Sequence, residues 1–243
     1  MPINVKPKTR TVETSKVDSG LKSYFLKVYN FMGIGLILTA LTAYLMSQPT
    51  ALQLIFKVGS DGAVGYSGLG YLALFSPLIL IFAFSAAVSK MSPAAARAIF
   101  LAFSVLNGLS LGPLFLVYTS TSLVSVFLIT AGTFFAMSIY GYTTGRDLTK
   151  MGSFLFMGLI GLIIASVVNM FLGSTILGYA LSFVGVGIFT VLVAYDTQKI
   201  KQYYYMAQDE RTRQVMAING ALSLYLDFLN LFLYLLRLFG DRK

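Results

Sequence analysis

The stretch Ala221-Leu-Ser-Leu-Tyr-Leu-Asp-Phe-Leu-Asn-Leu-Phe-Leu-Tyr-Leu-Leu-Arg-Leu238 is apolar enough to cross a bilayer, yet carries an acid, Asp227, well inside it. A hydrocarbon core about 30 Å thick is spanned by about 20 apolar residues in helical form. An acidic side chain at mid-bilayer costs roughly 2.5–3.5 kcal/mol even on insertion scales, so it reads as a functional-site candidate with a partner to be found. The candidate partner closes the preceding apolar stretch, Ser182–Tyr195, in the run Ala194-Tyr-Asp-Thr-Gln198. Elsewhere the chain keeps acids out of its membrane-length segments. Asp196 and Asp227 therefore define both the fold reading and the site reading.

Composition carries the same message along all 243 residues. Hydrophobic residues make up 57% and charged residues 11%, with a mean hydropathy of +0.78. Soluble domains usually hold about 25% charged residues, so a soluble globular protein is excluded. The chain has no Cys and no His. Disulfides, thiolate metal sites, the usual general base and the commonest metal ligand are thereby removed. No zincin, serine triad or Cys–His dyad can be assembled, and neither an enzyme nor a resident cofactor is expected. The net charge of +9 does not point to nucleic acid, because the basic residues sit between apolar spans, where they set orientation.

The apolar runs predict an all-α, seven-transmembrane helical bundle. Its spans are Ser23–Met46, Leu69–Ser89, Ala98–Tyr118, Ser122–Tyr142, Phe154–Leu172, Ile176–Tyr195 and Ala221–Leu238. Residues 1–22 lack the apolar core and cleavage site of a signal peptide and read as a disordered basic cytoplasmic tail, which leaves 23–243 as the membrane domain. Thr50–Gly68 reads as a flexible loop in which Ala51–Phe56 has the makings of a short interfacial helix. On the tail side lie Lys6, Lys8, Arg10, Lys16, Lys22 and Lys27, then Lys90 and Arg97, Arg146 and Lys150, and finally Lys199, Lys201, Arg211 and Arg213. The other side holds Lys57, Arg237, Arg242 and Lys243. Fourteen of the 18 basic residues thus fall on one side, which predicts a cytoplasmic N-terminus and an external C-terminus.

Lipid gives helices no hydrophobic incentive to associate, so small residues should mark their contacts. Ser104, Gly108 and Gly112 recur every four residues on span three, as do Gly35, Thr39 and Ala43 on span one. Gly132/Ala136 and Gly161/Ala165 continue the pattern. Pro113, deep in span three, removes a backbone donor and should kink that helix. Asn107 and Asn169 read as helix–helix hydrogen-bonding groups.

Two carboxylates brought together in low dielectric cannot both ionise cheaply, so Asp196 and Asp227 are expected to share a proton. Plainer readings stand beside this one. Asp196 has Lys199 or Lys90 to pair with at the membrane edge, and Asp227 has Ser223 and Asn230 on its own helix. An intramembrane aspartyl protease would show a Tyr-Asp pair and a Gly-x-Gly before the second acid. Tyr195-Asp196 meets the first requirement, while Leu224-Tyr-Leu226 before Asp227 fails the second.

Four segments carry a family resemblance: Asn107-Gly-Leu-Ser-Leu-Gly-Pro-Leu-Phe-Leu-Val-Tyr-Thr119, Ser138-Ile-Tyr-Gly-Tyr-Thr-Thr-Gly-Arg-Asp-Leu148, Ala194-Tyr-Asp-Thr-Gln-Lys-Ile200 and Leu222-Ser-Leu-Tyr-Leu-Asp-Phe-Leu-Asn-Leu-Phe-Leu233. The chain resembles the Bax inhibitor-1 family, in particular its bacterial inner-membrane branch, from about residue 20 to the end. The resemblance implies seven membrane helices with the last one central. It also implies a pH-sensitive Ca²⁺ leak, in which a di-aspartyl unit, here Asp196 and Asp227, senses pH and holds the ion transiently. The family's basic latch near the end of span two falls nearest to Lys90, which as a point charge cannot grip a carboxylate bidentately as an Arg would. Some bacterial relatives are instead modulators of a membrane-anchored AAA protease, acting through the N-terminal tail. The expected surroundings are therefore the lipid bilayer of an inner membrane, with Ca²⁺ or such a protease as partner.

Overall fold

In a computed structural model, which describes residues 9–58 and 64–243, the chain is almost wholly helical. α1 (Thr9–Met46) leads into a short α2 (Pro49–Ile55) and a two-stranded hairpin, β1 (Phe56–Val58) and β2 (Val64–Tyr66). Then follow α3 (Gly68–Ala87), α4 (Pro93–Leu111), a single-turn α5 (Leu114–Val117), α6 (Ser120–Thr143), α7 (Gly152–Leu172), α8 (Thr175–Met206) and α9 (Glu210–Phe239). Seven helical stretches are long and apolar enough to cross a membrane, and they fall on the seven expected spans.

Several helices start where the sequence supplies an acceptor for the orphan N–H groups. Ser67, Ser92, Thr119 and Ser174 accept from the backbone three residues on, opening α3, α4, α6 and α8. Between α7 and α8 the chain reverses at Gly173, whose φ of 62° is the left-handed conformation a β-carbon disfavours.

The last helix is the centre of the bundle. α9 packs against α1, α4, α6 and α8. Half of its apolar window is buried inside the protein, against 11–33% for the other six spans. Ala217, Ile218, Ala221, Leu224, Tyr225 and Leu231 are each no more than 1% exposed. The outer helices turn Leu, Ile and Phe outward instead, as acyl chains solvate apolar side chains as well as a protein core does.

Small residues set the closest approaches. A β-carbon on Gly108 would lie 2.6 Å from the Thr39 carbonyl oxygen, one on Gly112 2.7 Å from Met46 Cβ, and one on Gly35 2.9 Å from Ser104 Oγ. The expected α1–α4 seam is therefore present. Gly132 and Gly161, in contrast, face open space, although Ala165 of the same pattern packs against the core. α6 meets α8 through Gly141 instead, where a β-carbon would fall 2.3 Å from the Ala194 carbonyl oxygen.

Other expectations need correction. α8 continues to Met206 and α9 begins at Glu210, so most of the expected loop between spans six and seven is helix. Charge ends an apolar window but not a run of backbone hydrogen bonds, and Lys199 and Lys201 keep their ammonium groups over the rings of Tyr203 and Tyr142 at 5.8 and 5.2 Å. Thr50–Gly68 holds the expected short helix as α2, but a hairpin follows in place of a flexible loop, its described strands pairing Phe56 with Tyr66, and residues 59–63 lie outside the described residues. Pro113 does not kink a continuous helix. It separates α4 from α5, with the Leu116 N–H turning back to the Pro113 carbonyl at 3.0 Å. α1 begins at Thr9, so residues 9–22 of the expected tail are helical, and Leu21 is already in the core. The rest of that tail, residues 1–8, lies outside the described residues.

Residues 20–27 of α1 and the C-terminal residues lie at opposite ends of the bundle. The middle of α1 meets the α8–α9 turn, with Lys27 Nζ 3.6 Å from Glu210. The C-terminal residues pair with the α5–α6 connection, the Thr119 N–H donating to Asp241 at 3.1 Å and the Lys243 N–H to Val117 at 3.0 Å.

Gly141→Leu should separate α6 from α8 and cost about 1–3 kcal/mol of stability, as overpacking does. Gly132→Leu should change little. Thermal unfolding of the two variants in detergent checks the contrast.

Candidate functional site

Glycines also set the register that brings the two acids together. In the α8–α9 hairpin a β-carbon on Gly220 would touch Ile200 at 2.8 Å, and one on Gly185 would touch the ring of Tyr234 at 2.7 Å. On that register Asp196 faces the turn of α9 just before Asp227, and the two acids sit diagonally across the interface. Their carboxyl groups are close enough to act on each other. Two ionised carboxylates repel at such a distance, whereas a single proton between them supplies the missing donor.

The two members of the pair differ in surroundings. Asp227 is 4% exposed, and its Oδ2 has no hydrogen-bond partner. Asn230 does not serve it, because its amide donates to the Leu226 carbonyl at 2.8 Å. Asp196 is half-buried, about level with the last turn of α6, where Gly141 lies against Ala194. α8 and α9 run on beyond this level by about 15 and 25 Å along their own axes, at 1.5 Å per residue from Asp196 to Met206 and from Glu210 to Asp227. The acids thus sit near one end of the apolar bundle, beneath a helical extension rather than at an open loop.

The cation at this site is Lys199. It lies one turn after Asp196 on α8 and attracts both carboxyl groups, while its ammonium stands 5.6 Å from the Tyr195 ring. Lys90, the expected latch, is exposed at the end of a single 3₁₀ turn, Val88–Lys90. Among the described residues the ion pairs are Lys27–Glu210 and Arg213–Glu210, so the structure does not bring Lys90 to Asp196. The reason is topological: α3 packs chiefly on α4, and the turn that carries Lys90 meets α9.

The loop between α6 and α7 is tied to the residue two past Asp196. Gln198 accepts from the Leu148 N–H and donates to the Arg146 carbonyl, both at 2.8 Å. Within that loop the exposed Asp147 accepts from the Thr149 hydroxyl and N–H, which hold its carboxyl below the usual range.

Sequence reasoning missed a chain of hydroxyls. Tyr29 on α1 hydrogen-bonds Ser138 on α6, and Ser138 bonds Thr197 on α8 at 3.1 Å. A cleft of about 350 Å³ between α1 and α6, lined by Tyr29, Ser138, Phe25 and Phe135, opens onto it. A second set joins Thr39 to the Tyr225 hydroxyl at 2.6 Å and to the Ser104 carbonyl at 2.8 Å. The available signal was a polar residue within each apolar span. Asn107 bonds its own helix at Phe103, not a neighbouring one, and the Asn169 carbonyl oxygen is buried without a partner.

Among the described residues no three of His, Cys, Asp and Glu come together as a metal cluster. Two carboxyl groups offer four oxygens at most, whereas Ca²⁺ takes six to eight. The pair fits a passing cation better than a stored one. Because the carboxyl groups act on each other, Asp196→Asn and Asp227→Asn should be non-additive in stability, with a coupling of about 0.5–3 kcal/mol in a double-mutant cycle read by thermal unfolding. Gln198→Ala should speed hydrogen exchange at the Leu148 amide without altering that coupling.

Residues 21–243 match a protein family described as inhibitor of apoptosis-promoting Bax1. An uncharacterised protein of Rickettsia prowazekii is 44% identical over 239 residues, covering 98% of each chain. The inner membrane protein YbhL of Escherichia coli K12 is 43% identical over 228 residues, 93% of this chain and 94% of its own. A membrane protein of Streptococcus pyogenes serotype M1 is 41% identical over 223 residues, 92% and 94% of the two chains. Matches of this extent and identity, on a bundle with these seven spans, make the chain a membrane protein of the Bax inhibitor-1 family.

Proposed function

We propose that the protein is a pH-sensitive cation leak of a bacterial inner membrane, with Ca²⁺ the favoured ion and the Asp196–Asp227 pair as its gate. The observation that carries this reading is the buried Asp227 carboxyl group, which meets another acid, Asp196, across the hairpin, while Lys199 nearby attracts both and, among the described residues, forms an ion pair with neither. A stability device would pair it with a base. An acid facing an acid is sensitive to protons and attractive to cations.

In the protonated state one proton bridges the carboxyl groups and holds α8 to α9. Once both ionise, repulsion opens the contact, and the two negative charges near the bundle end become a place for a divalent cation to pause. Lys199 takes the part that the sequence suggested for Lys90, as the cation that competes for the ionised pair. The bias of basic residues toward the N-terminal end supports a cytoplasmic N-terminus, which would set the gate on the cytoplasmic side.

Ion flux through purified protein in liposomes, measured across a pH series, tests the proposal. Asp227→Asn should flatten the pH profile, since an amide cannot change charge, and Asp196→Asn should do much the same. A profile left intact in both variants sinks the gate. A reporter fused to the N-terminus should be active only as a cytoplasmic one, and a reporter at the C-terminus only outside.

One feature favours the second reading, modulation of a membrane-anchored AAA protease. α1 starts ten residues ahead of its membrane-spanning part, at Thr9 rather than Ser19, and so offers a helical handle outside the bilayer. Deleting Met1–Lys16 should abolish such regulation and leave ion flux unchanged.

A further inference from the structure

A small pocket of about 160 Å³ lies where the middle of α1 meets the end of α8 and the first turn of α9, lined by Ser23, Tyr24, Lys27, Tyr204, Glu210 and Arg213. Two polar atoms of its lining residues are buried with no hydrogen-bond partner: the Tyr24 hydroxyl and Arg213 Nε. Tyr24 is 3% exposed, and its hydroxyl is out of contact with bulk solvent. Arg213 is otherwise engaged, with Nη1 2.9 Å from Glu210 Oε2 and its guanidinium 5.2 Å from the Tyr204 ring. Lys27 Nζ stands 3.6 Å from the other carboxylate oxygen of Glu210.

The charges do not balance. Two cations share one carboxylate, which leaves a surplus positive charge beside two idle donors. Nε–H can only donate, and a tyrosine hydroxyl donates readily to an anion. A space of this size holds about five waters' worth of volume, given about 30 Å³ for each. That admits a tetrahedral oxyanion with some of its hydration. Tyr24 and Glu210 also fall near the ends of the helical stretches that are long and apolar enough to cross a membrane.

We propose that this pocket binds a phosphate-type oxyanion, held by Tyr24 and Arg213 with Lys27 as counter-charge. The group is carried either by an anionic phospholipid headgroup or by free phosphate. Glu210 keeps the two cations in place and limits the site to ligands that can displace part of its hold on them. Bound there, the anion ties α1 to the hairpin that bears Asp196 and Asp227.

The test is thermal unfolding of the full chain in phosphatidylcholine nanodiscs, with no ion flux involved, so that its result is independent of the leak. Inorganic phosphate is titrated against chloride at equal ionic strength, and in a second arm phosphatidylglycerol replaces part of the phosphatidylcholine. A saturable rise in Tm is expected in at least one arm. A rise with phosphate alone identifies a free anion, and a rise only with phosphatidylglycerol identifies a headgroup. Tyr24→Phe should melt no lower than the parent without ligand, because it removes an unpartnered hydroxyl. It should weaken the ligand response roughly tenfold or more, as loss of a hydrogen bond to a charged group does. Arg213→Lys, read against its own ligand-free baseline, should weaken it likewise. No saturable shift in either arm, or a shift that both variants leave unchanged, overturns the proposal.

Discussion

A carboxyl group inside an apolar bundle must be neutral or paired, since a lone buried charge is among the costliest features a fold can carry. Asp227 meets that constraint in the middle of the molecule's most buried helix. Asn230 is occupied with the backbone of its own turn, which leaves Asp196 across the α8–α9 hairpin. The hairpin register is therefore a requirement, and Gly185 and Gly220 hold it, each facing a bulky side chain of the other helix. A slip of one helical turn would carry Asp196 about 5.4 Å along the hairpin axis and strand Asp227 among Leu224, Phe228 and Leu231.

Around this hairpin the bundle is assembled by steric fit. Gly35, Gly108 and Gly112 let α1 and α4 approach to backbone contact, and Gly141 does the same for α6 against α8. α7 makes its helix contact chiefly with α8 and buries only 11% of its apolar window, so it serves lipid more than protein. Polar links cross the same seams. The Thr39–Tyr225 bond ties α1 to α9, and the Tyr29–Ser138–Thr197 chain ties α1 through α6 to α8. Because these hydroxyls satisfy one another, they add specificity to the packing without burying a charge.

The seven spans were legible because a bilayer imposes a length and a polarity that composition reveals directly. The α1–α4 seam was legible through its four-residue spacing of small residues. The same spacing misled at Gly132 and Gly161 themselves, since a small residue facing lipid and one facing a helix look alike in sequence. Helix ends were the weakest point. Hydropathy stopped span six at Tyr195 and started span seven at Ala221, whereas backbone hydrogen bonding runs to Met206 and resumes at Glu210 under an Asp209 cap. That cap accepts from the Thr212 N–H and hydroxyl, which keep the Asp209 carboxyl below the usual range. The acid pair was legible from two aspartates in apolar surroundings. The hydroxyl chain was not, because single Ser and Thr residues in membrane helices most often bond their own backbone four residues back, as Ser104, Thr130 and Ser182 do here.

The position of the neighbouring cation changes what ionisation of the pair would do. A latch at Lys90 would join α3 to α8, and breaking it would release one helix from another. Lys199 instead rides on α8 one turn from Asp196, so its distance to that acid is fixed by the helix itself, and only its distance to Asp227 can vary. Ionisation of both acids would then strain the α8–α9 interface alone: Asp227 is pushed by one charge and drawn by another on the same partner helix. The response open to such an arrangement is a small sliding of α8 along α9, the shear type of motion that packed helices allow. Gln198 carries any such sliding directly to the α6–α7 loop, because it grips that loop at Arg146 and Leu148 from the position two residues past Asp196. In the proposed leak, the element that moves with the proton is therefore the α8–α9 hairpin together with the loop it holds, while the α1–α4 seam, locked by its glycines, serves as the fixed frame.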